Sequence, residues 1–159
     1  MEITFGIGLV FAGAAIAAGL GFTGSALGMG YAGQAGAGVT SEKPELFGRV
    51  LLMQALPGSQ GIYGFVGAFL ILNFAGLLGG ADTASVIGVE QGFQFLMASI
   101  PLGIAALFSG IFQGKVSASG ITMIAKDESL VARAIILSAM VETWAIFGLL
   151  ISFILLNAI

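Results

Sequence analysis

Ile135-Ile-Leu-Ser-Ala-Met-Val-Glu-Thr-Trp-Ala-Ile-Phe-Gly148 is the stretch whose reading decides the fold. It lies in an apolar run from Ala132 to Ile159, and from Ile135 onward Glu142 is the sole ionisable side chain. A run this long exceeds the ~20 residues needed to cross the hydrocarbon of a bilayer, so it reads as a membrane helix. A charged acid at the centre of such a helix costs about 2.5 to 3.5 kcal/mol on insertion scales. Glu142 therefore needs a proton, a cation or a partner, and it reads as a functional ion site.

The rest of the chain agrees with that reading. Hydrophobic residues make up 58% and charged residues 8% of the 159, against about 25% charged in an ordinary soluble domain. With no cysteine and no histidine, disulfides, zinc-type sites, thiol chemistry and histidine-based catalysis are excluded. A net charge of −3 on so few charged residues makes no nucleic-acid surface.

Four apolar segments follow one another, separated by three polar breaks. Helix 1 is predicted from Thr4 to Val39, ending at Thr40-Ser41-Glu42-Lys43-Pro44-Glu45. Helix 2 runs from Leu46 to Leu78, before Gly79-Gly80-Ala81-Asp82. Helix 3 starts near Ser85 and reaches Ala125, before Lys126-Asp127-Glu128-Ser129, and helix 4 runs from there to the C-terminus. Each exceeds the membrane's thickness and must tilt or project. No basic residues precede the first run, which opens Met1-Glu2-Ile3 and continues well past a signal-peptide core; it reads as a retained helix.

Charge sets the expected orientation. All five basic residues (Lys43, Arg49, Lys115, Lys126, Arg133) lie in or flank the first and third breaks, whereas the second holds Asp82 and Glu90. The positive-inside rule then puts the first and third loops in the cytoplasm and both termini outside. Lys115, a few turns into helix 3, is expected to snorkel to the interface.

The chain is also a tandem repeat. A shift of 84 residues aligns Gly30–Asn73 with Gly114–Asn157 without a gap, matching Gly36 with Gly120, Arg49 with Arg133, Gly64 with Gly148 and Asn73 with Asn157. The fold is thus predicted to be an all-α membrane protein of four transmembrane helices, arranged as two tandem antiparallel hairpins, residues 1–79 and 80–159. Their equal orientation makes this a parallel repeat, unlike the inverted repeats of many secondary transporters. Glu142 falls opposite Gly58, so the second hairpin alone keeps the acid. Helices 1 and 3 are rich in small residues and helices 2 and 4 are bulkier. That contrast suits a ring with small helices inside, and equally suits close packing within one four-helix monomer.

Depth brings the polar residues together. In an antiparallel hairpin, residues equidistant from the loop share a level, which pairs Gln113 with Glu142. The repeat register adds residues 58–60, so Ser59, Gln60, Gln113, Glu142 and Thr143 are predicted to form one layer. Pro57 cannot donate to the Met53 carbonyl and distorts its turn, and a carbonyl so released in a membrane can line an ion site. Hydroxyl, amide and carboxylate oxygens suit a hard cation. Tyr63, one turn past Ser59, is placed to give its hydroxyl to the carboxylate. Each has a plainer reading: interhelical hydrogen bonding for the glutamines, packing for Tyr63, and bonds back to their own helix for Ser59 and Thr143.

Two other patterns carry no function. Gly19-Leu-Gly21-Phe-Thr-Gly24 fits the dinucleotide glycine pattern but lies inside an apolar helix rather than after a strand. No Gly-Lys-Ser/Thr phosphate loop is present, so ATP binding is not expected of this chain.

Leu56-Pro57-Gly58-Ser59-Gln60-Gly61-Ile62-Tyr63-Gly64, Phe108-Ser109-Gly110-Ile111-Phe112-Gln113-Gly114-Lys115-Val116 and Val141-Glu142-Thr143-Trp144-Ala145 resemble the V-type ATPase proteolipid, in order and over essentially the whole chain. The likeness is to the K subunit of bacterial sodium-pumping V-type ATPases, a duplicated relative of the F-type c subunit that forms a membrane rotor ring. The resemblance implies a Na+ site built from the Leu56 carbonyl, the Ser59 hydroxyl, the Gln60 and Gln113 side chains and the Glu142 carboxylate, with Tyr63 bonding to Glu142. Ser59 stands where threonine is common and Trp144 where tyrosine is common; the serine is expected to loosen the fit of the ion. Proton-pumping relatives keep the acid without the full ligand set, so H+ is the alternative cargo. The resemblance further implies identical protomers, a stator subunit bearing a basic residue, central-stalk subunits and lipid as partners, in a bacterial plasma membrane, with ATP hydrolysis in other subunits. The rivals from the residues alone are a free-standing four-helix transporter or channel and a purely structural membrane protein.

Overall fold

The computed structural model describes residues 4–79 and 87–159. Five α-helices and three single 3-10 turns follow in order: α1 (Phe5–Glu42), a turn at Pro44–Leu46, α2 (Phe47–Ala55), a turn at Leu56–Gly58, α3 (Ser59–Phe74), α4 (Val89–Lys126), a turn at Glu128–Leu130 and α5 (Val131–Leu156). There is no strand among the described residues. Among the described residues, four stretches are long and apolar enough to cross a membrane: Phe5–Glu42, Pro44–Phe74, Val89–Lys126 and Glu128–Leu156. The four-span, all-helical architecture is the one the sequence predicts.

Helix ends differ from the hydropathy reading for local reasons. Helix α1 continues three residues beyond Val39, and the polar Thr40 and Ser41 are accommodated there by hydroxyl bonds back to the Gly36 and Gly38 carbonyls at 2.8 Å each. Its start is capped by Thr4, whose hydroxyl accepts from the Ile7 amide and donates to the Ile87 carbonyl. Helix α3 stops at Phe74, four residues before the expected Leu78. Gly76 takes a left-handed φ of 69°, and the Leu77 amide reaches back to the Leu72 carbonyl at 3.0 Å, a glycine-terminated helix end. The expected start of helix 3 at Ser85, and Asp82 with it, lie outside the described residues; α4 is seen from Val89.

The tightest packing joins α1 to α4. A Cβ built on Gly110 would lie 2.6 Å from the Gly24 carbonyl carbon, and the same backbone approach recurs at Gly28 with Gly114 and Gly6 with Gly92. Without side chains at these positions the two helices touch backbone to backbone, as small residues permit in lipid. Helix α3 lies against α1 where Gly64 meets the Ala17 carbonyl. Helix α5 lies against α4 through Gly148 and through a Ser117–Ser138 hydroxyl bond of 2.8 Å. The small-residue helices α1 and α4 thus form one layer and the bulkier α3 and α5 cover it. Helix α4 passes through Pro101 without a break, and the next amide, Leu102, donates to the Ser152 hydroxyl of α5 at 3.1 Å. Outward-facing Phe65, Ile136, Met140, Trp144 and Ile154 are exposed, as expected where lipid is the solvent.

The loops are tied to one another. The Arg49 guanidinium pairs with the Glu128 carboxylate, and the Lys43 ammonium donates to the Ala125 carbonyl at the end of α4 at 2.6 Å. Lys115 is exposed, with its ammonium 5.5 Å from the Tyr31 ring centre and 5.3 Å from that of Phe112, a cation–π seat for a charge near apolar surroundings.

Candidate ion-binding site

Pro57 divides the second span. Lacking an amide hydrogen, it turns the α-helix into a 3-10 turn at Leu56–Gly58, with α2 ending at Ala55 and α3 starting at Ser59. The carbonyl that this turn gives to a side chain is that of Leu56, which accepts from the Ser59 hydroxyl at 3.1 Å. Leu56 is the carbonyl that the family resemblance implies, whereas the missing amide of Pro57 taken alone points to Met53.

Next along α3, Gln60 is fully buried and points at α4. Its Nε2 donates to the Ser109 hydroxyl at 3.1 Å and to Gln113 Oε1 at 2.5 Å. Gln113, also fully buried, donates from Nε2 to Glu142 Oε2 at 3.4 Å. The Tyr63 hydroxyl donates to Glu142 Oε1 at 2.6 Å. Three spans therefore converge on one carboxylate, and each of its oxygens receives one donor. Glu142 itself is half-buried, with exposed Ala139 and Ile146 and buried Ser138 and Ala145 one turn away, so the acid sits at the border between the packed face of α5 and its outer face.

Of the residues expected in the layer, Gln60, Gln113 and Glu142 form a single hydrogen-bonded network, which Tyr63 joins from one turn beyond, and Ser59 lies next to it on the Leu56 carbonyl. Thr143 stays outside: it follows Glu142 directly but no hydrogen bond joins it to the network. Depth is common to the two, but successive residues on a helix point about 100° apart. Ser109 was missed by sequence reasoning. It accepts from Gln60 and donates to the Val141 carbonyl at 2.9 Å, linking α3, α4 and α5 just beside Glu142. Its position one turn before Gln113 on the same face was the available signal.

One atom of the cluster is left over. Gln60 Oε1 is buried without a hydrogen-bond partner, a condition that costs roughly 1–3 kcal/mol for a polar group taken from water. A buried carbonyl oxygen linked through Gln113 to a single carboxylate fits a monovalent cation, whose one charge the acid balances. Among the described residues no group of three acids, histidines or cysteines exists to hold a more highly charged metal.

The repeat supplies a comparison inside the molecule. Shifted by 84 residues, Ser109, Gln113 and Glu142 correspond to Ser25, Met29 and Gly58. Ser25 keeps its hydroxyl but accepts from the Gly61 amide at 2.7 Å. Met29 and Gly58 line a groove with Phe22, Ile62 and Phe65. The first hairpin has the shape of the site without its charge.

Four spans, a glycine-packed inner pair and one mid-span acid with amide and phenol donors define a membrane proteolipid. The profile of the ATP synthase C subunit family matches residues 5–71 and again 96–155, and the chain belongs to that family. It is a duplicated member of the V-type kind. It is 50% identical to the V-type sodium ATPase subunit K of Enterococcus hirae, over 98% of this chain and 97% of that one. It is 38% identical to the A-type ATP synthase subunit K of Methanocaldococcus jannaschii, over 91% of this chain and 60% of that one. Identity to the c′ subunit of the V-type proton ATPase of Saccharomyces cerevisiae is 30%, over 91% and 85%.

Proposed function

We propose that this subunit is the ion carrier of the rotor ring of a rotary V-type ATPase, binding Na+ at Glu142 and moving it across the membrane as other subunits hydrolyse ATP. The ligands are the Leu56 carbonyl, the Ser59 hydroxyl, the Gln60 and Gln113 side chains and the Glu142 carboxylate, with Tyr63 fixing the carboxylate's rotamer. The unpartnered Gln60 oxygen, buried within the Glu142 network, is the observation that carries the reading. A bound cation neutralises the acid, so the occupied site can sweep past lipid on the exposed face of α5. At a stator subunit, a fixed basic residue favours the empty carboxylate and releases the ion. One charge moved through 100 mV is worth about 2.3 kcal/mol, so several ions per ATP are energetically accessible.

In this reading the two hairpins, residues 1–79 and 80–159, are equivalent in position and unequal in charge, and each copy carries one ion. The loops containing Lys43 and Lys126 face the cytoplasm and the central stalk, and both termini lie outside.

H+ is the second reading. Tyr63 and Gln113 already donate to both oxygens of Glu142, so the acid's surroundings do not require a cation, and the yeast relative's name is that of a proton ATPase. Carbodiimide labelling of Glu142 separates the two, because the reagent attacks the protonated acid. Protection by millimolar Na+ that is relieved as pH falls supports Na+ in competition with the proton. Labelling that follows pH and ignores Na+ makes the cargo H+.

A further inference from the structure

The internal repeat gives a template for where a second copy sits. The 84-residue shift carries the first hairpin onto the second. In a ring of such chains, the contact between hairpins within one copy prefigures the contact between the second hairpin of that copy and the first of the next. Head-to-tail contacts of this kind close into rings when the rotation allows.

Within the chain this contact has two parts. At the loop end, Arg49 at the start of α2 pairs with Glu128 on the 3-10 turn before α5. Inside the span, Gly24 and Gly28 of α1 meet Gly110 and Gly114 of α4.

Each part has a shifted counterpart, and each counterpart is open. Arg49 becomes Arg133. Glu128 becomes Pro44, whose neighbour Glu45 is the acid on the matching turn Pro44–Leu46. Both Arg133 and Glu45 are exposed, and neither makes an ion pair among the described residues. Gly24 and Gly28 become Phe108 and Phe112, each 53% exposed. Gly110 and Gly114 become Ala26 and Gly30, and a Cβ built on Gly30 meets nothing within 4 Å. Small faces small within the chain; between chains, phenyl rings face an open stretch of α1. Register is shared, and the rings make the second contact the wider of the two.

We infer that copies join by repeating the hairpin contact, with Arg133 of one copy paired to Glu45 of the next and Phe108 and Phe112 seated against the next copy's Ala26 and Gly30. The inference rests on the rotor-ring reading and adds the residues that hold the ring together. Charge complementarity selects the order of copies at the rim, and size complementarity fills the space inside the membrane.

The absence of cysteine makes the test specific. Glu45→Cys and Arg133→Cys are introduced together in the full chain, and the intact membrane assembly is treated with a short bis-maleimide. A ladder of covalent multimers is expected. The pair Arg49→Cys with Glu128→Cys serves as control and should link within one chain, leaving its mass that of a monomer. If the assembly has ring size by native mass measurement and the control pair links, yet the first pair yields no multimers, the ring stands and this contact is overturned. If the unsubstituted chain is itself a monomer, the ring reading fails and the contact with it. Gly30→Phe probes the membrane half: helix content should be unchanged, since the chain has room for the ring, while the assembly shrinks or dissociates. An assembly of unchanged size and heat resistance would overturn that half.

Discussion

Glu142 sits in a helix where an unneutralised charge is costly, and its neighbours define how that charge is managed. Substituting Glu142 by Gln should abolish ion transport and carbodiimide labelling while circular dichroism shows the helices intact; retained transport would remove Glu142 from the role of carrier. Tyr63→Phe removes the 2.6 Å bond to the carboxylate. A hydrogen bond to a charged group contributes about 1.5–3 kcal/mol, so Na+ protection against labelling should need roughly 10- to 100-fold more Na+. Ser109→Ala takes one of two partners from the Gln60 amide and the donor from the Val141 carbonyl. A smaller loss, of about 1 kcal/mol, is expected in the same assay. A Ser109→Ala protein with unchanged Na+ protection would show that the hydroxyl only fills space.

Elements meet backbone to backbone at glycines, beside two clusters of buried apolar side chains. Gly110→Leu would drive a side chain into the α1 backbone, where even a Cβ has 2.6 Å to the Gly24 carbonyl carbon. Overpacking of this kind costs typically about 1–3 kcal/mol or more, so the midpoint of thermal unfolding in detergent should fall, whereas Gly48→Ala, where an added Cβ meets nothing within 4 Å, should not lower it. At the loop before α5, hydrogen bonds from the Ser129 hydroxyl and then its amide hold the Asp127 carboxyl below its ordinary value. A carboxyl lowered in the folded state stabilises it above the ordinary carboxylate range and loses that effect as pH falls through the lowered value. Comparing thermal unfolding of the parent and Asp127→Asn should therefore show a small gap at neutral pH that closes on acidification; a gap that widens would refute the cap. The Arg49–Glu128 pair is exposed on both sides, and its loss within one chain should cost no more than about 1 kcal/mol.

On the scale of the whole molecule, one acid serves two hairpins. The stoichiometry of carbodiimide labelling within the membrane should be one per chain. Gly58→Glu returns an acid to the first hairpin, where its Cβ meets nothing nearer than Met29 Sδ at 3.3 Å, the end of a flexible side chain. A second labelled site is expected by mass spectrometry. Because Met29 stands in the place of Gln113, Na+ should not protect it. Protection of both sites alike would mean that the glutamine is dispensable for holding the ion.

The sequence by itself determined the four spans and the tandem repeat and singled out Glu142 as a candidate, because hydropathy and the cost of burying a charge are properties of composition along one dimension. It also assigned Ser59, Gln60, Gln113, Glu142 and Thr143 to one level, with Tyr63 a turn beyond, because a helix converts residue number into depth at a fixed rise. What it left open was direction around each helix axis and distance between axes. Tertiary structure decided that Thr143 turns away from the network, that Ser109 joins three helices, and that Pro57 resolves into a 3-10 turn whose Leu56 carbonyl meets Ser59. It also decided that α1 and α4, far apart in the chain, are the pair in closest contact. Azimuth and axis separation follow from how glycines on different helices face each other, and that is settled when the helices pack.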